Sequence, residues 1–277
     1  MAQRSILITG CSSGIGHDAA VTLKRRGWRV FASCRKPEDC ARLGEMGFEA
    51  PRIDVTDHAS IEAGLAEVLA ATGGTLDALY NNAAIGIPGL LEDLPTEALR
   101  EIYATNLFGL HHLTRAVIPV MRAQGHGRIV NCSSGLGYVA YPWRGAYNST
   151  KFALEGYSDT LRLELHGVGI KVVLIEPGLI ETEFGKNSQK HFERWIDREG
   201  SARAADYERE FVGDTKRPVA GNRKKTPASA VTAKIIHAME SPKPRARYRI
   251  TPLAQLAYVL KRLLPTRVQD MLILRFS

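Results

Sequence analysis

The segment SILITGCSSGIG, residues 5–16, decides the fold. Residues 5–9 form a short apolar run that stops at Gly10. An amphipathic stretch with Ala19, Ala20 and Leu23 follows the glycines and ends at Gly27. The pattern reads as strand, tight turn, helix. Glycines let a backbone come close to a phosphate, and a helix N-terminus offers free N–H groups and a partial positive charge. A bare glycine motif is weak; the strand before it and the helix after it make it informative. Gly10, Ser12, Ser13, Gly14, Ile15 and Gly16 are therefore candidates for holding a dinucleotide pyrophosphate.

The pattern repeats outward from this unit. Strands are predicted over residues 29–33, 50–55, 76–80, 128–132 and 170–175, with helices between them, including 57–71 (capped by Thr56) and 96–121. The 170–175 run is continuously apolar, as a parallel strand covered on both faces should be. Alternating strands and helices define an α/β fold of Rossmann type: a doubly wound parallel sheet with helices on both faces, in a single domain. In such sheets ligands bind at the carboxyl ends of the strands. Residues 10–16, Cys34-Arg35, Asp54-Val55, Asn81-Asn82-Ala83, Ser134 and Pro177-Gly178 all fall there.

The second strand ends in Cys34-Arg35. A carboxylate at this place would bond the ribose hydroxyls of NAD. Its absence, with Arg35 present and Ser12 able to donate, predicts NADP as cofactor, with NAD the less favoured choice. Downstream, Tyr147 and Lys151 stand four residues apart, on one face of a helix. A phenol titrates near pH 10, and a neighbouring cation lowers that value. Tyr147 is thus a candidate general acid or base, and the Ser134 hydroxyl can bond the same substrate oxygen.

The order and spacing of these motifs resemble the short-chain dehydrogenase/reductase family over roughly residues 4–185. The family's TGxxxGxG reads Thr9-Gly10…Gly14…Gly16, and its YxxxK reads Tyr147…Lys151. Its NNAG appears as Asn81-Asn82-Ala83-Ala84, with alanine replacing the last glycine. Finer features resemble the hydroxysteroid/retinol dehydrogenase branch and related bacterial aldehyde reductases. The resemblance implies hydride transfer between a nicotinamide and a carbonyl or alcohol carbon. Ser134, Tyr147 and Lys151 would be catalytic, with Asn106 as the structural asparagine that distorts its helix. Asn82, Ala83, Tyr147, Lys151, Pro177, Gly178, Ile180 and Thr182 would contact the cofactor. It also implies a homodimer or homotetramer. A nucleotide-binding regulator that has lost catalysis is the alternative.

Composition is that of a globular protein, with 44% hydrophobic and 24% charged residues. No nucleic-acid motif occurs, and the four cysteines lack metal-ligand spacing. No signal-peptide pattern opens the chain, so the cysteines read as reduced and the protein as cytoplasmic. The net charge of +8 is uneven. From residue 186 onward there are 20 Lys and Arg against 9 Asp and Glu, while residues 1–185 hold 17 and 20.

The chain divides into a core (1–182), a substrate lid (183–226) and a helical extension (227–277). The lid's aromatics, among them Phe184, Phe192, Trp195 and Tyr207, suit an apolar substrate, or simply pack the segment down. Lys216, Arg217, Arg223, Lys224 and Lys225 read as an exposed basic loop, and residues 248–250 as an edge strand. The amphipathic helix from Pro252, with Lys261, Arg262 and Arg267, can lie on an anionic membrane, cover the substrate site or form a subunit contact.

Overall fold

The computed structural model describes residues 3–212 and 225–276. In chain order its elements are β1 (Ser5–Ile8), α1 (Gly14–Arg25), β2 (Arg29–Ala32), α2 (Pro37–Glu45), α3 (His58–Thr72), β3 (Ala78–Asn81), α4 (Thr96–Tyr103), α5 (Gly109–Ala123), β4 (Gly127–Cys132), α6 (Gly145–Glu164), β5 (Ile170–Glu176), α7 (Phe184–Trp195), α8 (Ala204–Tyr207), α9 (Ala228–Glu240), β6 (Arg247–Arg249), α10 (Pro252–Leu263) and α11 (Thr266–Phe276). The six strands are parallel, in the order β2-β1-β3-β4-β5-β6. This is the expected doubly wound α/β sheet.

Two apolar layers cover it. Ile6, Ile8, Val30 and Val173 face Leu23 of α1 and Val231 and Ile235 of α9. Leu7, Leu79, Ile129 and Val172 face Ile61 of α3, Leu113 and Val117 of α5, and Leu161 of α6. Each such side chain, moved from water to this interior, contributes about 1.5–3 kcal/mol before entropy is counted.

Several expectations are corrected. Residues 50–55 are not a ladder strand. They follow the outer edge of β2 through two isolated bridges, Phe31 with Glu49 and Cys34 with Arg52. Pro51 has no N–H to donate at this place, which explains the gap. Asp57, not Thr56, caps α3: its carboxylate accepts from the Ala59 and Ser60 N–H groups, while Thr56 turns back to Asp54. The helix expected over 96–121 is interrupted by a π-helical turn, Ala104–Phe108, that separates α4 from α5. The edge strand lies one residue earlier than expected. Of the basic loop, Lys216, Arg217, Arg223 and Lys224 lie outside the described residues.

Close backbone approach dictates one glycine. A methyl on Gly109 would sit 1.8 Å from the Val55 carbonyl oxygen. The start of α5 is therefore pressed against the segment that follows the bridged edge. Gly109→Ala must push these backbones apart and is expected to cost about 1–3 kcal/mol, as overpacked sites do. The urea midpoint of unfolding reads the loss; an unchanged midpoint would show that this contact carries no load.

Candidate active site

The glycine turn is built as the sequence implied. Gly10 and Gly14 have φ of +72° and +62°, a region that favours glycine. A methyl on Gly16 would meet Asn82 Nδ2 and the Gly10 carbonyl at 2.5 Å. The turn is tied to the end of β3 by Thr9, whose Oγ1 accepts from the N–H groups of Asn82 (3.0 Å) and Ala83 (3.1 Å). Asn82 Nδ2 donates back to the carbonyls of Thr9 and Gly10. Ser13 is the N-cap of α1 but makes no side-chain cap bond, and the first turn of α1, which contains Ile15, has no acid. The helix end thus presents donors and positive potential without a competing carboxylate.

Around this cradle, Arg35 is exposed at the end of β2 and makes no ion pair among the described residues. Arg42 was not anticipated. It reaches from α2 to the Ser12 carbonyl at 2.7 Å and pairs with Asp39. Only the fold brings α2 over the turn. Asp54 accepts from Thr56, and Val55 is buried beneath α5. Pro177 and Gly178 follow β5; the Pro177 carbonyl accepts from the Gly135 N–H at 2.8 Å. Ile180 bridges Thr226. Thr182 closes on Gly14, where an added methyl would meet it at 3.1 Å. These residues converge on one end of the sheet and fit a dinucleotide: glycines where backbones crowd, a bare helix N-terminus, and the exposed Arg35 at the end of β2.

The second half of the site is held by buried amides. Asn106, in the π-helical turn, accepts from the Ile85 N–H at 2.9 Å and donates to the Ile85 carbonyl and to Thr150 Oγ1. Thr150 donates to the Tyr147 carbonyl. A π turn is where an α-helix yields to such a demand. Asn148, also unanticipated, donates to the carbonyls of Leu136 and Val139 and so pins the loop that follows Ser134. Ser134 Oγ accepts from the Leu136 N–H and also bonds the Tyr147 phenol. Lys151 is buried, lies 5.5 Å from the Tyr147 ring centre, and donates to the Cys132 carbonyl at 2.7 Å.

The electrostatics differ from expectation in one respect. Burial pushes the Tyr147 phenol above its ordinary range, Cys132 adds to the rise, and the Ser134 hydrogen bond opposes it. Burial likewise lowers Lys151, with Cys132 and Glu155 pulling it back. The predicted depression of Tyr147 by Lys151 is not found: burial is the largest influence on the phenol and outweighs what its neighbours offer. On the open side, Phe184 of α7 packs edge-on against Tyr147 with ring centres 5.4 Å apart. Ile85, Tyr103 and Trp195 are partly buried and join Tyr147 around a small apolar core that includes Ile87 and Ile102.

This fold and this arrangement define a class, and comparison with known proteins agrees. The short chain dehydrogenase family profile matches residues 4–193. The chain is 42% identical to the uncharacterized oxidoreductase YbbO of Escherichia coli over 269 residues, 97% of this chain and 93% of that one. It is 38% identical to a 3-ketodihydrosphingosine reductase of Bacteroides thetaiotaomicron over 187 residues, 68% of each. A short-chain dehydrogenase structure from Streptomyces avermitilis superposes with a TM-score of 0.78 at 30% identity, covering 94% of this chain and 92% of that one. Solved neighbours of the same fold hold NADP+ or NAD. The chain belongs to the short-chain dehydrogenase/reductase family and is an oxidoreductase of that family.

The raised phenol gives a spectroscopic prediction. Without cofactor, the ultraviolet difference titration between wild type and Tyr147→Phe should show no phenolate from this residue up to about pH 10. A phenolate signal near neutral pH would mean that Lys151 governs Tyr147 even without cofactor.

Proposed function

We propose that this protein is an NADP(H)-dependent reductase of apolar aldehydes or ketones, retinoid- or steroid-like ones included, with oxidation of the alcohol as the reverse reaction. The observation that carries it is Tyr147 hydrogen-bonded to Ser134, with Lys151 5.5 Å from its ring centre, packed edge-on against Phe184 and next to the dinucleotide cradle. A phenol kept neutral is a competent acid for a carbonyl oxygen.

Ser134 would bond the substrate oxygen as its charge develops. Tyr147 would pass its proton to that oxygen. Lys151 would stabilise the phenolate left behind and hold the cofactor ribose. Asn106 is a positioning residue: through Thr150 it fixes the turn of α6 that carries Tyr147 and Lys151. The nicotinamide, when bound, supplies or accepts the hydride. Arg35, with Ser12 and Arg42 near it, would take the 2′-phosphate, and Asp54, Val55, Asn82, Ala83, Pro177, Gly178, Ile180 and Thr182 the rest of the dinucleotide.

Residues 183–226 serve as the lid and 227–277 as a helical extension. Phe184 against Tyr147 supports an apolar substrate. The relative that reduces a sphingoid ketone is consistent with a long aliphatic chain. The protein would act in the cytoplasm as a homodimer or homotetramer. No observation favours a catalytically silent regulator.

Oxidation of NADPH and NADH against aliphatic, aromatic, retinoid and steroid carbonyls tests the reading. NADPH should be well preferred, and Arg35→Glu should reverse the order. Tyr147→Phe should keep NADPH binding but lose about 10²–10⁴-fold in turnover. Near-normal turnover in that variant would refute the assignment; NADH preference in the wild type would refute only the role of Arg35.

A further inference from the structure

The most unusual surface on the molecule lies outside the site, on the C-terminal helices. Residues 241–277 carry eight Lys and Arg against a single acid, Asp270. On α10 the buried side is Ala254, with Tyr258 half-buried beside it. On the opposite side Leu253, Leu256, Val259 and Leu263 form one helical arc, exposed by 51%, 54%, 49% and 73%. Soluble surfaces rarely show so continuous an apolar stripe without a use for it. Met271 on α11 is 60% exposed as well.

The charges beside this arc are not consumed internally. Arg247 and Arg249 are, by Glu155, Asp159 and Glu176. Lys261, Arg262 and Arg267 make no ion pair among the described residues. Arg262 stacks over Tyr258, 4.4 Å from the ring centre, so its guanidinium stays at the surface. Lys261 and Arg262 follow Tyr258 by one turn, at the margins of the arc, and with Phe152, Glu155 and Arg247 they line a shallow groove of about 260 Å³ between α10 and α6. Exposed apolar residues flanked by unpaired cations match an anionic lipid surface: the side chains enter the acyl boundary while the cations meet phosphates. No helix among the described residues is long and apolar enough to cross a membrane, so the contact would be superficial.

Position gives the surface a purpose. Thr251, the N-cap of α10, packs against Gly178, where an added methyl would meet its Oγ1 at 2.3 Å. Tyr138, just past Ser134, donates its hydroxyl proton to the Ala254 carbonyl at 2.9 Å. The start of α10 is thus seated between the two turns that bound the reaction site. We propose that α10 and α11 dock this protein on an anionic lipid surface through Leu253, Leu256, Val259, Leu263, Lys261, Arg262 and Arg267, with the mouth of the active site at the lipid boundary. An apolar carbonyl compound dissolved in the bilayer would then reach Tyr147 without crossing bulk water. The docking itself is independent of the catalytic assignment.

Flotation of the full-length protein with phosphatidylcholine vesicles, with and without phosphatidylglycerol, tests this. Wild type should float with the anionic vesicles only, and less so as salt rises. Lys261→Glu/Arg262→Glu should bind them about 30-fold more weakly. Leu256→Glu/Leu263→Glu, at exposed positions, should lose at least about 10-fold, with NADPH binding unchanged in both. Tyr147→Phe should float like wild type whatever its turnover. Wild type left in the soluble fraction, or variants that bind as well as wild type, would overturn the proposal. So would conversion of a wild-type dimer to monomer by the double leucine variant in light scattering, since the arc would then be a subunit contact.

Discussion

The buried carboxamide of Asn106 is the constraint on which the reactive half of the molecule depends. Three of its hydrogen bonds go to two other segments: both backbone groups of Ile85, after β3, and the hydroxyl of Thr150 on α6. A buried amide without partners costs about 1–3 kcal/mol or more, so these contacts are obligatory once the residue is inside. The helix could not supply them in regular α geometry; it opens into a π turn between α4 and α5. One side chain thereby sets the relative position of the cradle side and the reactive side.

The cradle side has its own lock, at Thr9. A single hydroxyl oxygen accepts two backbone N–H groups from the end of β3, and Asn82 answers with two donations to the glycine turn. The glycine-rich turn is thus tied down through the carbonyls of Thr9, Gly10 and Ser12. What remains free is the N-terminus of α1, the part a phosphate needs.

Burial opposes charge at the centre. It favours the neutral forms of both Tyr147 and Lys151, and the Cys132 carbonyl keeps the ammonium in place. The same opposition recurs one layer out, where Glu155 and Glu176 share Arg247, and burial pushes the Glu155 carboxyl up against that partner's pull. This buried cluster joins α6 to β5 and β6, and so ties the helix that bears Tyr147 to the strand that leads into α10. Breaking one member would leave an unpaired charge inside, which is more costly than losing the whole set.

Much was legible in the residues alone. Hydrophobic period, glycine placement and strand-end chemistry are local properties, and they determined the doubly wound sheet, the turn around Gly10–Gly16, the pairing of Tyr147 with Lys151 on one helix, and the exposed Arg35 at the end of β2. Tertiary structure decided the rest, because each remaining feature joins residues far apart in the chain. Pro51 and an edge position turned a predicted strand into two bridges. Arg42 met Ser12 only through the packing of α2. Asn148 took over the loop after Ser134. The upward push on the Tyr147 phenol comes from its burial rather than from its spacing to Lys151: electrostatic shifts sum over all neighbours in space, and a four-residue interval reports only one of them.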